Sequence, residues 1–298
     1  MKFKLWRIPG CCLVGLIVCF TLCNALAQED TSPLPTLIPA ELSWNGEETT
    51  SQISEEAYQG ENYHDASLDV RVYRCRAYQT PVFIAFVQIA DPSQLKTEQA
   101  QPYPSQTTVN PNMLVKRVGA VLAVNADWFV YHNAGVIYRE GELLRERPNE
   151  EYDGLAVDVN GDFHILRPLT QEGFAAIQTP ISNSFCFGPA LVMDGQVCDI
   201  GDRKETLRQR TAIGQVGPLA YVLVVTDGPE EKDSVGLTVP QMAQLMKDLG
   251  AVQAYNLDGG ASSIMFFHQQ KVNGQKASKA RSIADMIYFV PAGFRREK

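Results

Sequence analysis

One short segment near the C-terminal end of the chain combines an acid, two glycines and two hydroxyls: Asn256-Leu257-Asp258-Gly259-Gly260-Ala261-Ser262-Ser263. Adjacent glycines let the backbone approach a ligand closely, because neither carries a Cβ. This combination exceeds what an ordinary turn needs, so we interpret it as a functional loop. Asp258 is the candidate nucleophile or base. The candidate ligand contacts are Asn256, Gly259, Gly260, Ser262 and Ser263, the serines through backbone N–H groups facing an anion.

A second segment repeats the first. Residues 116–127 (KRVGAVLAVNAD) align with residues 247–258 (KDLGAVQAYNLD), and seven of the twelve positions are identical. Each copy reads as a helix end, a glycine cap, a short strand and Asn-x-Asp. Side chains alternate along a strand, so Asn125 and Asp127 are expected to share a face. The hypothesis is an internal α-β repeat whose two strand ends converge on one cleft; the alternative is that these residues merely start turns.

A second acid and two arginines complete the set of candidates. Asp227-Gly228 ends a buried apolar strand, and Asp227 is interpreted as the partner of Asp258, although Asp-Gly also suits a plain turn. Arg210 and Arg281 are candidate phosphate ligands, because a planar guanidinium matches two phosphate oxygens. The alternative for both is an ordinary ion pair. Asn125 is a candidate donor to hydroxyl or phosphate groups of a ligand.

Several other chemistries find little support in the sequence. There is no Gly-x-Ser-x-Gly elbow for a serine nucleophile, and no Cys-x-x-Cys or clustered Cys/His pattern for structural zinc. The four histidines stand in unrelated contexts and are expected to be structural or solvent-facing. Strand ends rich in Asn and Asp suit a hard cation such as Ca²⁺, but no Asp-x-Asp-x-Asp-Gly loop occurs. No metal ligand is assigned, and whether a divalent cation takes part stays open.

In their types and order, these motifs resemble the phosphodiester glycosidase family. The similarity covers roughly residues 115–290, and its most specific part is the Asn-Leu-Asp-Gly-Gly-x-Ser-Ser segment. The other matching stretches are Asn125 to Phe129, Gly188 to Val192 with Asp194-Gly195, Arg210 to Gly214, Leu237 to Pro240, and Arg281. Two residues depart from the family pattern: Asp127 stands where a small residue is usual, and Trp128 replaces a phenylalanine. Asp127 therefore inherits no role from the family.

The resemblance implies an enzyme that hydrolyses a sugar-1-phosphate diester. A phosphomonoester leaves readily, so such an enzyme must mainly bind phosphate, stabilise an oxocarbenium-like transition state and orient a water or nucleophile. The expected substrate is a carbohydrate phosphate, from exopolysaccharide or cell-wall polymer metabolism. The alternative function is a non-catalytic module that binds phosphorylated polysaccharide at the cell envelope. Neither the sugar nor the oligomeric state follows from the motifs.

The elements that must position these residues indicate an α+β fold, with mixed or antiparallel sheets, hairpins and a few helices. Strands are predicted over Val82–Ile89 and Leu219–Val225, and hairpin turns at Asn160-Gly161 and Asp194-Gly195. A capping box, formed by Thr238 and Gln241, opens a helix over 239–249. A second helix is expected to start at Asn110-Pro111.

The chain divides into three predicted parts. Residues 1–27 read as a signal peptide, with basic residues, an apolar run and Ala25-Leu26-Ala27 before the cleavage point. Residues 28–64, rich in Pro, Thr and Glu, read as an extended spacer, and residues 65–295 form the domain. The apolar run is shorter than the roughly 20 residues that cross a bilayer, so no span is expected after cleavage. The protein is expected to be secreted or extracytoplasmic; an uncleaved N-terminal anchor is the alternative.

Charge and cysteine content narrow the partners further. The net charge of −8 becomes more negative if the leader is removed, which disfavours nucleic-acid binding. Cys75, Cys186 and Cys198 remain outside the leader, and three cysteines in an exported protein allow one disulfide and one odd thiol without defining the pairing.

Overall fold

Antiparallel strands account for most of the regular structure in the computed structural model, which describes residues 33–46, 53–201, 206–274 and 280–295. The strands are β1 (Tyr58–Gln59), β2 (Asn62–His64), β3 (Leu68–Ala77), β4 (Thr80–Ile89), β5 (Leu95–Gln99), β6 (Leu122–Asn125), β7 (Gly135–Arg139), β8 (Glu142–Arg147), β9 (Gly154–Asp158), β10 (Phe163–Leu166), β11 (Ile181–Phe185), β12 (Ala190–Met193), β13 (Gln196–Val197), β14 (Thr211–Gly217), β15 (Ala220–Thr226), β16 (Gln253–Leu257), β17 (Met265–Phe267), β18 (Gln270–Lys271) and β19 (Asp285–Phe289). The α-helices of the described residues are α1 (Pro111–Val118), α2 (Gln171–Ala175) and α3 (Val239–Asp248).

The strands form two large sheets and two small ones. The larger has the order β1-β2-β3-β4-β15-β14-β16-β12-β13, and the second has the order β18-β17-β6-β19-β5. Three strands, β10-β9-β11, and the hairpin β7-β8 make the small sheets. Adjacent strands pair antiparallel throughout, for example β14 with β16 and β6 with β19. The predicted α+β class, rich in antiparallel sheet, is therefore confirmed.

The core is layered, with sheets inside and helices outside. Inward-facing residues of both large sheets, such as Leu223 of β15 and Val124 of β6, form one apolar cluster together with Leu155 of β9. The alternate residues of each large sheet face a helix: Val224 lies in a cluster with α3, and Ala123 lies in a cluster with α1. Side-chain alternation along the strands thus separates three apolar clusters without interrupting either sheet.

The two predicted helices begin and end where their capping residues stand. Thr238 accepts a hydrogen bond from the Gln241 N–H, and the Gln241 side chain bonds back to Thr238, which completes the capping box of α3. Asn110 caps α1, and Gly119 ends it in the left-handed conformation. The two helix–strand units belong to different sheets, because β6 follows α1 and β16 follows α3. An internal repeat stays a prediction.

The segment before residue 65 takes part in the fold more than a spacer would. Strands β1 and β2 extend the nine-stranded sheet, and Tyr63 is fully buried. Ala40, in an extended stretch, exchanges two hydrogen bonds of 2.9 Å with the side-chain amide of Gln88. The domain boundary expected at residue 65 therefore lies too late, because alternation within Asn62–His64 buries an aromatic residue that composition alone did not single out. The predicted leader lies outside the described residues.

The described helices include none that is both long and apolar enough to cross a membrane. Of the cysteines outside the leader, Cys186 and Cys198 are free thiols.

Candidate functional site

Asp258 follows the last residue of β16 and lies where the two large sheets approach each other. Its backbone N–H donates to the carbonyl of Ala126 at 2.9 Å, and its own carbonyl accepts from the Asn125 side chain at 2.6 Å. Asn125 ends β6 of the five-stranded sheet and Ala126 follows it, whereas Asp258 follows the end of β16 in the nine-stranded sheet. Two strand ends more than a hundred residues apart therefore fix the backbone of this acid.

The Asp258 carboxyl is only slightly exposed, and its residue retains 7 % of its accessible surface. Burial raises the pKa of this carboxyl, and nearby Asp127 raises it further, whereas Ser262, Arg281 and the Gly259 N–H act in the opposite direction. The Ser262 hydroxyl lies beside the carboxyl without forming a hydrogen bond of good geometry. The carboxyl therefore keeps its proton to a higher pH than an exposed aspartate does.

Arg281 is the candidate phosphate ligand that the structure brings to Asp258. It is exposed, its charge acts on the Asp258 carboxyl, and its guanidinium lies 5.5 Å from the centre of the Tyr131 ring. Its backbone N–H donates to the carbonyl of Ala261, in the same loop as Asp258. An exposed guanidinium beside a buried carboxyl is a suitable arrangement for an anionic ligand.

Arg210 does not join this site. It is buried, its Nε donates to the Leu237 carbonyl at 2.9 Å, and its Nη2 donates to the Thr206 carbonyl at 2.6 Å. Burial lowers the pKa of Arg210 to about 10, with Arg208 adding to the effect. These contacts tie two loops together and favour a structural role over the predicted phosphate contact, since the guanidinium is committed to backbone carbonyls.

The two asparagines are also committed to the protein. Asn125 is buried, and in addition to its bond to Asp258 its Oδ1 accepts from the Thr211 hydroxyl at 2.9 Å and from the Ile264 N–H at 3.0 Å. Asn256 is buried as well and donates to the Gly188 carbonyl at 2.8 Å. Both were predicted to contact a ligand. Their hydrogen bonds favour a positioning role, in which Asn125 joins four strand ends around Asp258.

The glycines explain the shape of the loop. Gly260 has a φ of +59°, which disfavours other residues, and its N–H donates to the Gln209 carbonyl at 2.9 Å. A Cβ at Gly259 would lie 3.1 Å from that carbonyl oxygen. The N–H groups of Ser262 and Ser263 donate within the loop, to the carbonyls of Gly259 and Gly260. The anion contact predicted for the serine N–H groups is thus disfavoured, because a turn already uses them.

Asp227 lies in a recess on the other side of the same loop. This recess, of about 490 Å³, is lined by Asp227, Gly260, Ser263, Glu231 and Lys271, among others. Burial and nearby Glu231 raise the pKa of Asp227 to about 6, while the Gly274 N–H and Lys271 oppose the rise. Asp227 follows β15 and Asp258 follows β16, and different charges act on them, so the two predicted acids have separate electrostatic surroundings.

The raised pKa of Asp227 makes a prediction for stability. Between about pH 4 and 6 the folded chain holds a proton at Asp227 that the unfolded chain has released, so this group lowers the free energy of unfolding as the pH rises. Asp227→Asn removes that dependence. We expect the variant to be more stable than the wild type at pH 7.5, by at most about 3 kcal/mol, and the difference to shrink toward pH 4. Urea unfolding of both chains across this range measures it.

The exposed turn residue Asp194 supplies the matched control, since Asp194→Asn also removes one negative charge, but at a position open to solvent. Parallel stability curves for Asp227→Asn and the wild type would contradict the assignment.

A group of side chains near Asp258 was not predicted. The Asp127 carboxylate accepts from the backbone N–H groups of Trp128 and Cys186, each at 2.8 Å. One ligand atom from each of Asp127, His132 and Cys186 lies within 4.8 Å of the other two. The departure of Asp127 from the family pattern was the only signal in the sequence, because a cysteine and a histidine more than fifty residues apart show no motif. His132, one of the histidines expected to be structural or solvent-facing, belongs to this group.

Two sheets thus meet at a buried acid on a Gly-Gly loop, with an arginine beside it. A profile described as phosphodiester glycosidase matches residues 118–290. The chain therefore belongs to the phosphodiester glycosidase family.

Similar proteins are distant in sequence. The SPbeta prophage-derived protein YomE of Bacillus subtilis (strain 168) is 26% identical over 184 residues, which are 58% of this chain and 28% of that protein. The chain thus spans less than a third of this curated relative. Among solved structures, the catalytic domain of zebrafish N-acetylglucosamine-1-phosphodiester alpha-N-acetylglucosaminidase, auto-inhibited by its pro-peptide, has a TM-score of 0.60 at 17% identity, covering 74% of this chain and 82% of that one. An exported protein of Burkholderia pseudomallei K96243 has a TM-score of 0.51 at 15% identity, covering 71% and 74%. These structures share the fold.

Proposed function

We propose that this chain is an exported hydrolase that cleaves a glycosyl phosphodiester, acting in exopolysaccharide or cell-wall polymer metabolism. The observation that carries the proposal is the buried, pKa-raised carboxyl of Asp258 on the Asp-Gly-Gly loop, with the exposed Arg281 beside it. The substrate is a carbohydrate phosphate, as family membership suggests. Export depends on the leader at 1–27, and the exported protein among the structural neighbours is consistent with it.

In the proposed reaction the bond between the anomeric carbon and the phosphate oxygen breaks. The phosphomonoester leaves with the bonding electron pair, and water supplies a hydroxyl to the carbon and a proton to a carboxylate. Arg281 binds the departing phosphate, so charge that develops on it is stabilised. Asp258 acts as nucleophile or base. Asp227, from the other side of the loop, is the proposed second acid and reaches the substrate through the recess it lines.

Aromatic side chains beside Asp258 provide a surface for the sugar. Trp128 is half-buried, packs edge-on against Phe187 at 5.4 Å, and lies 5.9 Å from the Tyr131 ring. Tyr131 is exposed and carries the Arg281 guanidinium over its face. Sugar rings stack on such faces, and this arrangement places a stacked sugar next to the phosphate ligand.

The test is turnover of a panel of glycosyl-1-phosphate methyl diesters by the full chain, followed by NMR. We expect free sugar and methyl phosphate in equal amounts, with the anomer of the first-formed sugar reporting retention or inversion. Saturable binding of the same compounds without release of sugar would contradict the enzyme and favour the phosphorylated-polysaccharide binding module. Absence of both binding and release across the panel would contradict both functions.

A further inference from the structure

Three side chains with different metal-binding chemistry meet beside the proposed active site. Asp127 follows β6, His132 lies just after the short turn Phe129–Tyr131, and Cys186 follows β11. A carboxylate oxygen, an imidazole nitrogen and the thiol sulfur lie within 4.8 Å of one another. When such atoms bind one ion at about 2.0–2.3 Å in tetrahedral geometry, they stand about 3.4–3.8 Å apart. Contraction by about an ångström therefore brings this group to bonding geometry.

One of these side chains lacks the hydrogen bonds that buried polar groups normally make. Both ring nitrogens of His132 are inaccessible to solvent, and neither forms a hydrogen bond of good geometry. The Cys186 sulfur makes a long contact of 3.8 Å to the Ala134 carbonyl and lies beside the Asp127 carboxylate. A buried nitrogen lone pair without a donor is costly, and most buried polar groups in proteins avoid it. The imidazole thus has a nitrogen lone pair that no hydrogen bond uses and that a metal ion could bind.

The surroundings hold the three side chains in place. Arg145 donates to the carbonyls of Phe129, His132 and Ala134, and so fixes the loop that carries His132. Gly135 has a φ of +107°, and a Cβ at this position would overlap the Cys186 sulfur. The ring of His132 stacks on Tyr152 with an interplanar angle of 5°. Because a glycine leaves space for the sulfur and an arginine fixes the loop, the three side chains are preorganised.

We propose that Asp127, His132 and Cys186 bind one divalent transition-metal ion of the zinc class. A mixed oxygen, nitrogen and sulfur set selects a borderline-soft ion over Ca²⁺ or Mg²⁺, which prefer oxygen ligands alone. Three protein ligands leave one position for water or substrate, on the side where Asp258 lies. Because the three ligands come from separate segments, the ion also ties β6, the 129–134 loop and β11 together.

The local charges are compatible with a cation. A histidine ligates a metal ion as the neutral imidazole, and a cysteine ligates it as the thiolate. When the sulfur–metal bond forms, the thiol proton passes to solvent. Arg145 and Arg139 oppose a cation here, whereas Asp258 and Asp285 favour it. Asp285 largely neutralises Arg139 through their buried ion pair, at 0 and 2 % side-chain exposure.

Cobalt(II) titration of the full chain, first treated with chelator and reductant, tests the proposal. We expect a thiolate-to-cobalt charge-transfer band that saturates at one ion per chain and is reversed by zinc. Cys186→Ser should abolish the band. His132→Gln and Asp127→Asn should weaken binding by more than about 100-fold. That is the upper end of the loss seen when a residue that only hydrogen-bonds to a metal ligand is replaced. Metal should also raise the melting temperature of the wild type but not of Cys186→Ser.

The matched controls are Cys75→Ser and Cys198→Ser, which remove the other two thiols of the described residues and should leave the band unchanged. A band that persists in Cys186→Ser, or a folded wild type that shows none, would overturn the site. If Cys186→Ser does not fold, His132→Gln decides, since His132 is only a half-buried residue. A metal affinity of His132→Gln within about 10-fold of the wild type would overturn the proposal, because replacing a residue that only hydrogen-bonds to a metal ligand already costs that much. None of these measurements depends on turnover, so failure of the metal site and failure of the glycosidase proposal are separate results.

Discussion

Asp258→Asn is expected to lower the rate of glycosyl phosphodiester cleavage by at least about 10³-fold while the chain stays folded. The amide has nearly the shape of the carboxylate but can neither attack the anomeric carbon nor accept a proton from water. The backbone bonds from Asp258 to Ala126 and Asn125 do not involve the replaced group, so the loop should keep its position. Initial rates with the best diester of the panel give the loss.

Asp258→Asn should fold as stably as the wild type, so that its lower cleavage rate can be assigned to lost catalysis and not to unfolding. Burial raises the pKa of Asp258, so its ionised form is unfavourable in the folded state near neutral pH, and a neutral amide removes that cost. We expect a free energy of unfolding in urea equal to or above that of the wild type at pH 7.5. Asp194→Asn, in an exposed Asp-Gly turn where Asn is equally suitable, controls for charge removal. Full activity of Asp258→Asn would refute the catalytic role of this residue.

Much of the fold was predictable because its signals are local. The capping box at Thr238, the asparagine cap at Asn110 and the Asp194-Gly195 turn each act within a few residues, and each stands where it was expected. A continuous run of apolar residues likewise indicated the buried strand that became β15. The order of strands in the sheets was not predictable, since it depends on pairings such as β4 with β15 that join residues more than 130 positions apart.

The candidate site was predicted less well, for a related reason. Residue type indicates what a side chain can do, but its partners decide what it does. Asn125 and Arg210 have suitable chemistry for a ligand, yet they already hydrogen-bond to other groups of the protein. The Asp258 carboxyl and the Arg281 guanidinium, by contrast, lie close enough for the arginine charge to act on the acid. Short motifs therefore indicated which residues could take part in a site but could not separate contact residues from supporting ones.

The group formed by Asp127, His132 and Cys186 shows the limit of motif reading more sharply. Structural zinc sites are recognised by closely spaced ligands, whereas these three residues come from a strand end, a loop and another strand end. The residues that hold the Asp127 backbone in place come from two further strands. Asp285 of β19 accepts a hydrogen bond from the Asp127 N–H at 2.8 Å and pairs with Arg139 of β7. A buried ion pair thus positions the backbone that carries the group.

Arg139→Met is expected to lower the free energy of unfolding by about 3–5 kcal/mol, because it leaves the Asp285 carboxylate buried without its partner. Arg139 donates to Asp285 through Nε at 3.0 Å and to the Tyr138 and Ser184 carbonyls through Nη1, and its guanidinium lies 4.8 Å from the Phe185 ring centre. Asp285→Asn added to Arg139→Met should recover much of the loss, since the amide carries no charge and its oxygen still accepts from Asp127. Urea unfolding of the single and double variants measures both effects.

An exposed pair shows why burial decides this outcome. Arg74 lies 2.7 Å from Glu61, and both side chains are nearly half exposed, so Arg74→Met should cost no more than about 1 kcal/mol despite the same change in residue type. The difference in lost unfolding free energy between the two methionine variants is then the cost of leaving a buried charge without its partner. Equal losses at both sites, or a double variant no more stable than Arg139→Met alone, would mean that packing rather than the uncompensated Asp285 charge sets the stability of this region. In the expected case, the attraction between Arg139 and the buried Asp285 carboxylate stabilises the region that holds the Asp127 backbone beside Asp258.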